Sequence, residues 1–354
     1  MKITSPEGRF SATFSNRIQL RYDYADIDGA SDVSDFDVRR LRPAWTGHVY
    51  TEDLTYTIVP DVADGWSMLV AVMNYRVNDQ FQIRLGQGKT PYGYERYTSS
   101  GRLGLVDRSL VSGAFDHAFP DGVMFHGKFP EAGNLTYEVG VFNQGERNQD
   151  NPDDNHLLVG RVDLEPAGEM APRRLSYPSA PISDTRWRLG VAVSVAESDF
   201  NAIQGEGSLS GYQSTLLDAL EAQDGFDQDD LNDADLLAVN PDFGVQIQNF
   251  SLHGEYHYAE ADPSGTGDGD AEVEGYMLQA GFFLDENWQV VTRYSEVDDD
   301  NASNAEIDQD EIIGGVNWFS DGHGLKVQAD VGQVENDVTG DEDTRFRVQT
   351  QITF

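Results

Sequence analysis

Cysteine is absent from the 354-residue chain. That excludes disulfide staples and thiolate metal sites. Bases are scarce: 24 Lys and Arg stand against 62 Asp and Glu, for a formal charge of -38. A surface that acidic argues against nucleic acid as a partner, because phosphate binding needs bases. Long apolar runs are missing too. The longest, Trp66 to Met73, is already broken by Ser67. It falls far short of the roughly 20 residues of a membrane-spanning helix. No apolar leader follows Met1-Lys2, since Thr4, Ser5 and Pro6 come next. The chain reads as cytoplasmic, or as a mature form without its leader.

What is there is a period of two. From Phe10 to Tyr24 the even positions read Phe, Ala, Phe, Asn, Ile, Leu, Tyr, Tyr, and the odd ones are mostly polar. Trp187, Leu189, Val191, Val193 and Val195 alternate with Arg186, Arg188, Gly190, Ala192 and Ser194. The last run sets Phe346, Val348, Thr350, Ile352 and Phe354 against Arg345, Arg347, Gln349, Gln351 and Thr353. Soluble strands average five or six residues, whereas these runs reach the nine to eleven of a membrane strand that is apolar towards lipid and polar towards a wet lumen. About 16 such segments can be counted, starting near residues 9, 36, 53, 66, 80, 122, 134, 156, 186, 242, 250, 274, 288, 311, 325 and 344. Tyr22, Tyr24, Trp66, Tyr75, Trp187, Trp288, Tyr294 and Trp318 sit near segment ends, as interfacial aromatics do.

The connections alternate as well. If the first strand runs outward, the odd loops are long: Asp23 to Asp35, Thr90 to Asp121, Gln144 to Asn155, Ala196 to Pro241, Ala259 to Val273, Glu296 to Asp310 and Gln333 to Asp343. The even ones are short, and the alternation has two exceptions. Asp61 to Gly65 is short where a long loop is due, and Glu165 to Thr185, with four prolines, is an elaborated periplasmic turn. The expectation is an all-β fold: one domain, residues 1–354, forming a 16-stranded antiparallel transmembrane β-barrel with long external loops. A soluble propeller is the competing fold, but no repeat of roughly 40 to 50 residues is present.

Three features resemble a known family. Phe354 closing an alternating strand is similar to the assembly signal of bacterial outer-membrane proteins. Phe36-Asp37-Val38-Arg39-Arg40-Leu41-Arg42, then Leu54 to Asp61, resembles the second and third strands of the phosphate-selective porin O and P family. Ile83 to Gly122 resembles it most, through Lys89-Thr90-Pro91, Tyr94-Glu95, Ser99-Ser100 and Asp107-Arg108-Ser109. The resemblance implies an outer-membrane porin, a homotrimer surrounded by membrane lipid and lipopolysaccharide. Its third loop, residues 90–121, would fold into the pore and constrict it. Arg39, Arg40 and Lys89 match motif positions and Arg108 the loop pattern.

Charge is divided between loops and strands. Acids crowd the proposed external loops, as at Asp153-Asp154, Asp227 to Asp230, Asp298 to Asp300 and Asp341 to Asp343. Most bases fall on the polar phase of strands, and Arg96, Arg102 and Arg108 fall in the third loop. A base-lined lumen favours anions. The bets for pore-lining and constriction charges are Arg39, Arg40, Arg42, Arg84, Lys89, Arg96, Arg102 and Arg108. Two alternatives stay open: lumen bases neutralised by lumen acids such as Asp23, Asp163, Glu255 and Asp330, and a weakly selective or cation-preferring channel suited to high salt. Permeants would be inorganic ions and small hydrophilic solutes. In the long acidic loop 196–241, Leu216, Leu217 and Leu220 suggest a short helix over Tyr212 to Ala222, which would lid the mouth or contact a neighbouring copy. His253, Glu255 and His257 share a strand face, and Asp268-Gly269-Asp270 offers hard oxygens, but neither set is a complete metal site. A soluble β protein binding divalent cations is the reading from another class. Neither a cofactor nor enzymatic activity is expected, since no strained nucleophile motif occurs.

Overall fold

The structure is a computed structural model. It describes all residues except 152–153, 171–174, 207, 224–233, 264–269 and 300–306. A short strand, β1 (Lys2–Thr4), pairs with the start of β2 (Ser11–Asp26). Then come β3 (Val33–His48), β4 (Leu54–Asp61), β5 (Ser67–Asn78), β6 (Phe81–Gln87), β7 (Asp121–Phe129), β8 (Leu135–Phe142) and β9 (Leu157–Leu164). The rest are β10 (Arg186–Ser198), β11 (Ala234–Ile247), β12 (Phe250–Pro263), β13 (Ala271–Phe283), β14 (Trp288–Asp299), β15 (Gln309–Asp321), β16 (Leu325–Asn336) and β17 (Glu342–Thr353). Each of β2 to β17 pairs antiparallel with the next, and β17 pairs back to β2. The result is a closed barrel of 16 strands, with no edge for lipid to meet. The seam is fixed at its end by Phe354, whose backbone N–H donates to the Asn16 carbonyl at 3.0 Å while accepting from Asn16 at 2.7 Å.

Alternation sets the faces. Leu189, Val191, Val193 and Val195 of β10 stay exposed on the lipid side, whereas Arg188 and Ser194 are buried inside. Two aromatic girdles bound this apolar wall. Tyr276 and Tyr294 lie near the long-loop end, and Trp288 faces Trp318 in register near the other. The long loops mark the external side.

The boundaries shift in places. β11 begins at Ala234, inside the stretch expected as loop up to Pro241. Polar Asp235 and Asn240 and the proline hide its alternation, yet Asn240 donates its amide to the Tyr256 carbonyl of β12. The short helix expected near Tyr212 to Ala222 is present as α4 (Gly211–Glu221), started by a capping box between Ser210 and Gln213. Preceding it in the chain are α1 (Tyr94–Tyr97), α2 (Leu110–Ala114) and α3 (Phe200–Glu206).

Alternation fails along one side. Across β3 to β8 the lumen face carries Ala44, Val59, Val70, Val72, Met124 and Phe142. The run Trp66 to Met73 is therefore a strand apolar on both faces, with Met73 outward and Val72 inward.

Candidate functional site: the lumen and its third loop

Residues 88–120, between β6 and β7, fold into the barrel. The loop is held by its backbone as well as by buried apolar side chains, Leu105 among them, which packs with Val291 and Ile313. Asn317 donates to the Gly104 carbonyl at 2.6 Å, Lys326 to that of Leu103 at 3.1 Å and Gln351 to that of Gly101 at 3.0 Å. In the other direction, Asp330 accepts from the Val106 N–H at 3.0 Å. The loop thus leans against β15 to β17 and leaves the side of β3 to β8 open.

The far half of the lumen is filled. From outside, α4 rests on α2, with the Thr215 hydroxyl donating to the Ala114 carbonyl at 3.1 Å. His117 is sandwiched between Tyr92 at 3.9 Å and Tyr212 at 4.0 Å. Burial pushes its imidazole down to about 3, so it sits there neutral. From the periplasmic end, residues 175–180 of the proline-rich turn lie inward. Its Tyr177 is buried, donates its N–H to the Arg102 carbonyl at 3.0 Å and packs on His253. Expected only as an elaborated turn, this segment reaches the third loop.

The bases divide into two sets. One set is neutralised. Arg21 and Arg40 meet Asp107 of the third loop at 2.7 and 3.3 Å. Arg161 and Arg188 share Asp163 and Asp242 on adjacent strands, fully buried. Arg293 lies between Glu95 and Glu311, and Arg347 meets Asp330 at 2.8 Å. A further five bases line a cavity of about 960 Å³ on the open side: Arg17, Arg42, Arg84, Lys89 and Arg102, of which Arg42 is also paired, with Asp61. Among the described residues, Asp321 is the one carboxylate on that lining.

The eight sites expected from sequence scatter accordingly. Arg42, Arg84, Lys89 and Arg102 line the cavity. Arg42 also pairs with Asp61 at 2.7 Å and donates to the Ser100 hydroxyl at 2.9 Å. Arg84 has no ion-pair partner among the described residues. Lys89 is turned to the loop itself, donating to the carbonyls of Arg96 and Thr98 at 2.5 and 2.7 Å. Burial, then the nearby Arg108 and Arg96, pushes its ammonium well below lysine's ordinary range. Arg39 lies at a bulge, 3.9 Å from Asp107. Arg40 is buried beneath the loop and bonds Gln19 at 3.0 Å. Arg96 pairs with Asp116, and Arg108 donates to the carbonyls of Glu95 and Thr98 at 3.2 and 2.8 Å. These four stitch the loop and do not line the cavity. Arg17 does line it, donating to the Ser99 and Ser100 hydroxyls at 3.0 and 2.9 Å. Its lumen phase on β2 was readable, but no motif singled it out.

His253, Glu255 and His257 all face inward and serve packing. His257 lies 3.3 Å from Glu255 and its ring packs on Phe115. Among the described residues no metal-binding cluster occurs. Asp153, Asp227, Asp229, Asp230, Asp268 and Asp300 lie outside the described residues.

A sequence profile of the phosphate-selective porin O and P family matches residues 14–170 and 227–354. No curated protein matches the chain in sequence. Solved structures share the fold at low identity. The outer-membrane channel DcaP of Acinetobacter baumannii aligns at 12% identity over 99% of both chains, with a TM-score of 0.64. The anion-selective porin from Comamonas acidovorans aligns at 12% over 98% of this chain and 100% of its own, with a TM-score of 0.63. A loop-deletion form of OmpT of Vibrio cholerae gives 12%, 98% and 100%, and 0.62. The closed barrel, the loop folded within it and the profile match across most of the chain agree: this protein belongs to the phosphate-selective porin O and P family and is a channel of the bacterial outer membrane for passive diffusion of small solutes.

Proposed function

We propose that the channel prefers anions, and that the third loop sets its constriction. The observation that carries this is the lining of the open cavity, where Arg17 and Arg84 meet no carboxylate in an ion pair among the described residues and Asp321 is the single carboxylate on the lining. A narrow wet path lined by one sign of charge concentrates the opposite ion. The paired bases, Arg42 with Asp61 among them, contribute little, since their carboxylates cancel them. The name of the Comamonas acidovorans porin is in keeping with this reading. Reconstituted channels under a KCl gradient should give an anion-sided reversal potential. A cation-sided value would overturn the proposal in favour of selectivity set by the acidic loops.

The assembly we propose is a homotrimer seated in lipid and lipopolysaccharide. Strands β4, β6, β8 and β9 have only 7 or 8 residues, against 12 to 14 for β10 to β17. A membrane strand needs about 9 to 11. A second copy against this low wall would shield what lipid cannot. A structure of OmpT of Vibrio cholerae is described as a trimer form. Cross-linking of detergent-extracted protein should stop at three copies; a product that stays monomeric contradicts the assembly.

A further inference from the structure

The cavity has a second face that anion preference does not use. Beside Arg42 and Arg84 on the same wall, Ala44, Val59 and Val70 lie in one register row across β3, β4 and β5. In the next row Val72 stands across from Gly86, and Gly86 from Gly122. The two facing glycines carry no side chain into the lumen. A Cβ at Gly86 would run into the Ala71 carbonyl and one at Gly122 into the Phe142 ring, so the wall there is the strands themselves and that ring. Polar side chains would be the ordinary lining of a water-filled barrel. This wall instead keeps apolar surface in contact with water, a standing cost unless something covers it.

The charges are placed to help. Arg42 is two residues from Ala44 on the same face of β3. Arg84 is two residues from Gly86 on β6 and has no ion-pair partner among the described residues. Arg42 is already held by Asp61, so a solute would hold its anionic head at the Arg84 guanidinium while its body lies on the valines.

We propose that the preferred permeant is an organic monoanion with an apolar body, such as an aryl or alkyl carboxylate or sulfonate, rather than a fully hydrated anion. This rests on the anion preference proposed above and names the substrate class of the same cavity. Laying one face of a phenyl ring against the valines removes some ~60 Å² of apolar surface from water, which corresponds to roughly tenfold in binding.

Block of KCl current in planar bilayers tests this. The probes are benzenesulfonate, which stays charged and does not cross lipid unaided, gluconate of the same charge, and inorganic phosphate. Benzenesulfonate should half-block at a concentration roughly tenfold below gluconate, and below phosphate as well. Reversal potentials are taken on the same channels. Anion-sided reversal with equal block by benzenesulfonate and gluconate, or with phosphate the stronger blocker, overturns the inference and leaves the anion preference standing. Cation-sided reversal overturns both. In a Val70→Asn, Val72→Asn variant the ratio of benzenesulfonate to gluconate block should fall to about one, and a ratio that does not move would place the preference elsewhere. Should that variant fail to insert, the order of the three probes on the unaltered channel still decides.

Discussion

Asp107 sits where the third loop meets the barrel wall and gathers three arginines, with Arg21 and Arg40 in contact and Arg39 at 3.9 Å. Burial raises its carboxyl, but Arg40 and Arg21 outweigh that and hold it well below the usual carboxylate range. A depressed carboxyl stabilises the fold above its unfolded value and loses that contribution only as pH falls through the folded one. Asp107→Asn should therefore cost about 3 kcal/mol at neutral pH, as for a largely buried pair that loses one partner. The gap from the unaltered protein should hold from pH 7 to about pH 4 and shrink only below it. Denaturant midpoints over that range check the sign. The same variant raises the net lumen charge by one, so its reversal potential should move further to the anion side. Nothing in the sequence joined these residues. Arg21 and Arg40 are 86 and 67 positions from Asp107. A strand period says that a base faces the lumen, not which acid waits there.

The strands were legible because a single rule generates them. Lipid outside and water inside impose a period of two, and closure imposes alternating short and long connections. Where that rule lapses, legibility lapses with it. β5 carries valines on its lumen face, so its alternation vanished into an apolar run. The turn 165–185 could be read as irregular from its prolines, but irregular backbone does not say whether it points to water or into the lumen. The third loop's position came from resemblance, because several of its anchors are backbone carbonyls that any sequence supplies and the rest pair side chains far apart in the chain. α4 is different, since its apolar stripe was visible. Tyr212, Leu216, Leu217 and Leu220 are buried where it meets α2 and the inner wall at β12 and β13, and a Cβ at Gly211 would run into the Gly113 carbonyl. The helix and the loop are thus one packed unit over half the mouth. Leu216→Asp places a charge in that contact, and undocking should follow, since truncating such a leucine alone costs about 2 to 5 kcal/mol. Because the barrel ladder is untouched, the variant should insert normally and show a larger single-channel conductance. An unchanged conductance would mean that α4 does not restrict the path.

At the scale of the whole molecule, opposite charges are separated. The rim is acidic: Glu296, Asp310, Glu335 and Glu342 form one cross-strand row at the external end, on the outer face of the wall. Asp26, Asp28 and Asp32 stand exposed nearby. The open cavity beneath is basic. Net charge and local charge therefore make contrary demands on an arriving anion, and salt decides between them by distance. Rim carboxylates act on an approaching ion across solvent, at a range where screening is strong. The Debye length falls from about 30 Å at 0.01 M to about 3 Å at 1 M. Cavity bases act on a permeating ion at contact, where screening is weak. Raising KCl from 0.01 to 1 M should therefore remove the rim's repulsion first and leave the cavity's attraction. The ratio of anion to cation permeability should rise with salt, the reverse of a pore with a single sign of charge, whose selectivity fades on screening. Reversal potentials at a fixed concentration ratio and increasing absolute concentration measure this directly. A permeability ratio that falls towards unity would show that the cavity bases, and not the rim, are what salt screens. Neutralising Glu296, Asp310 and Glu335 together should flatten the rise by lifting the low-salt value, with the 1 M value left where it was.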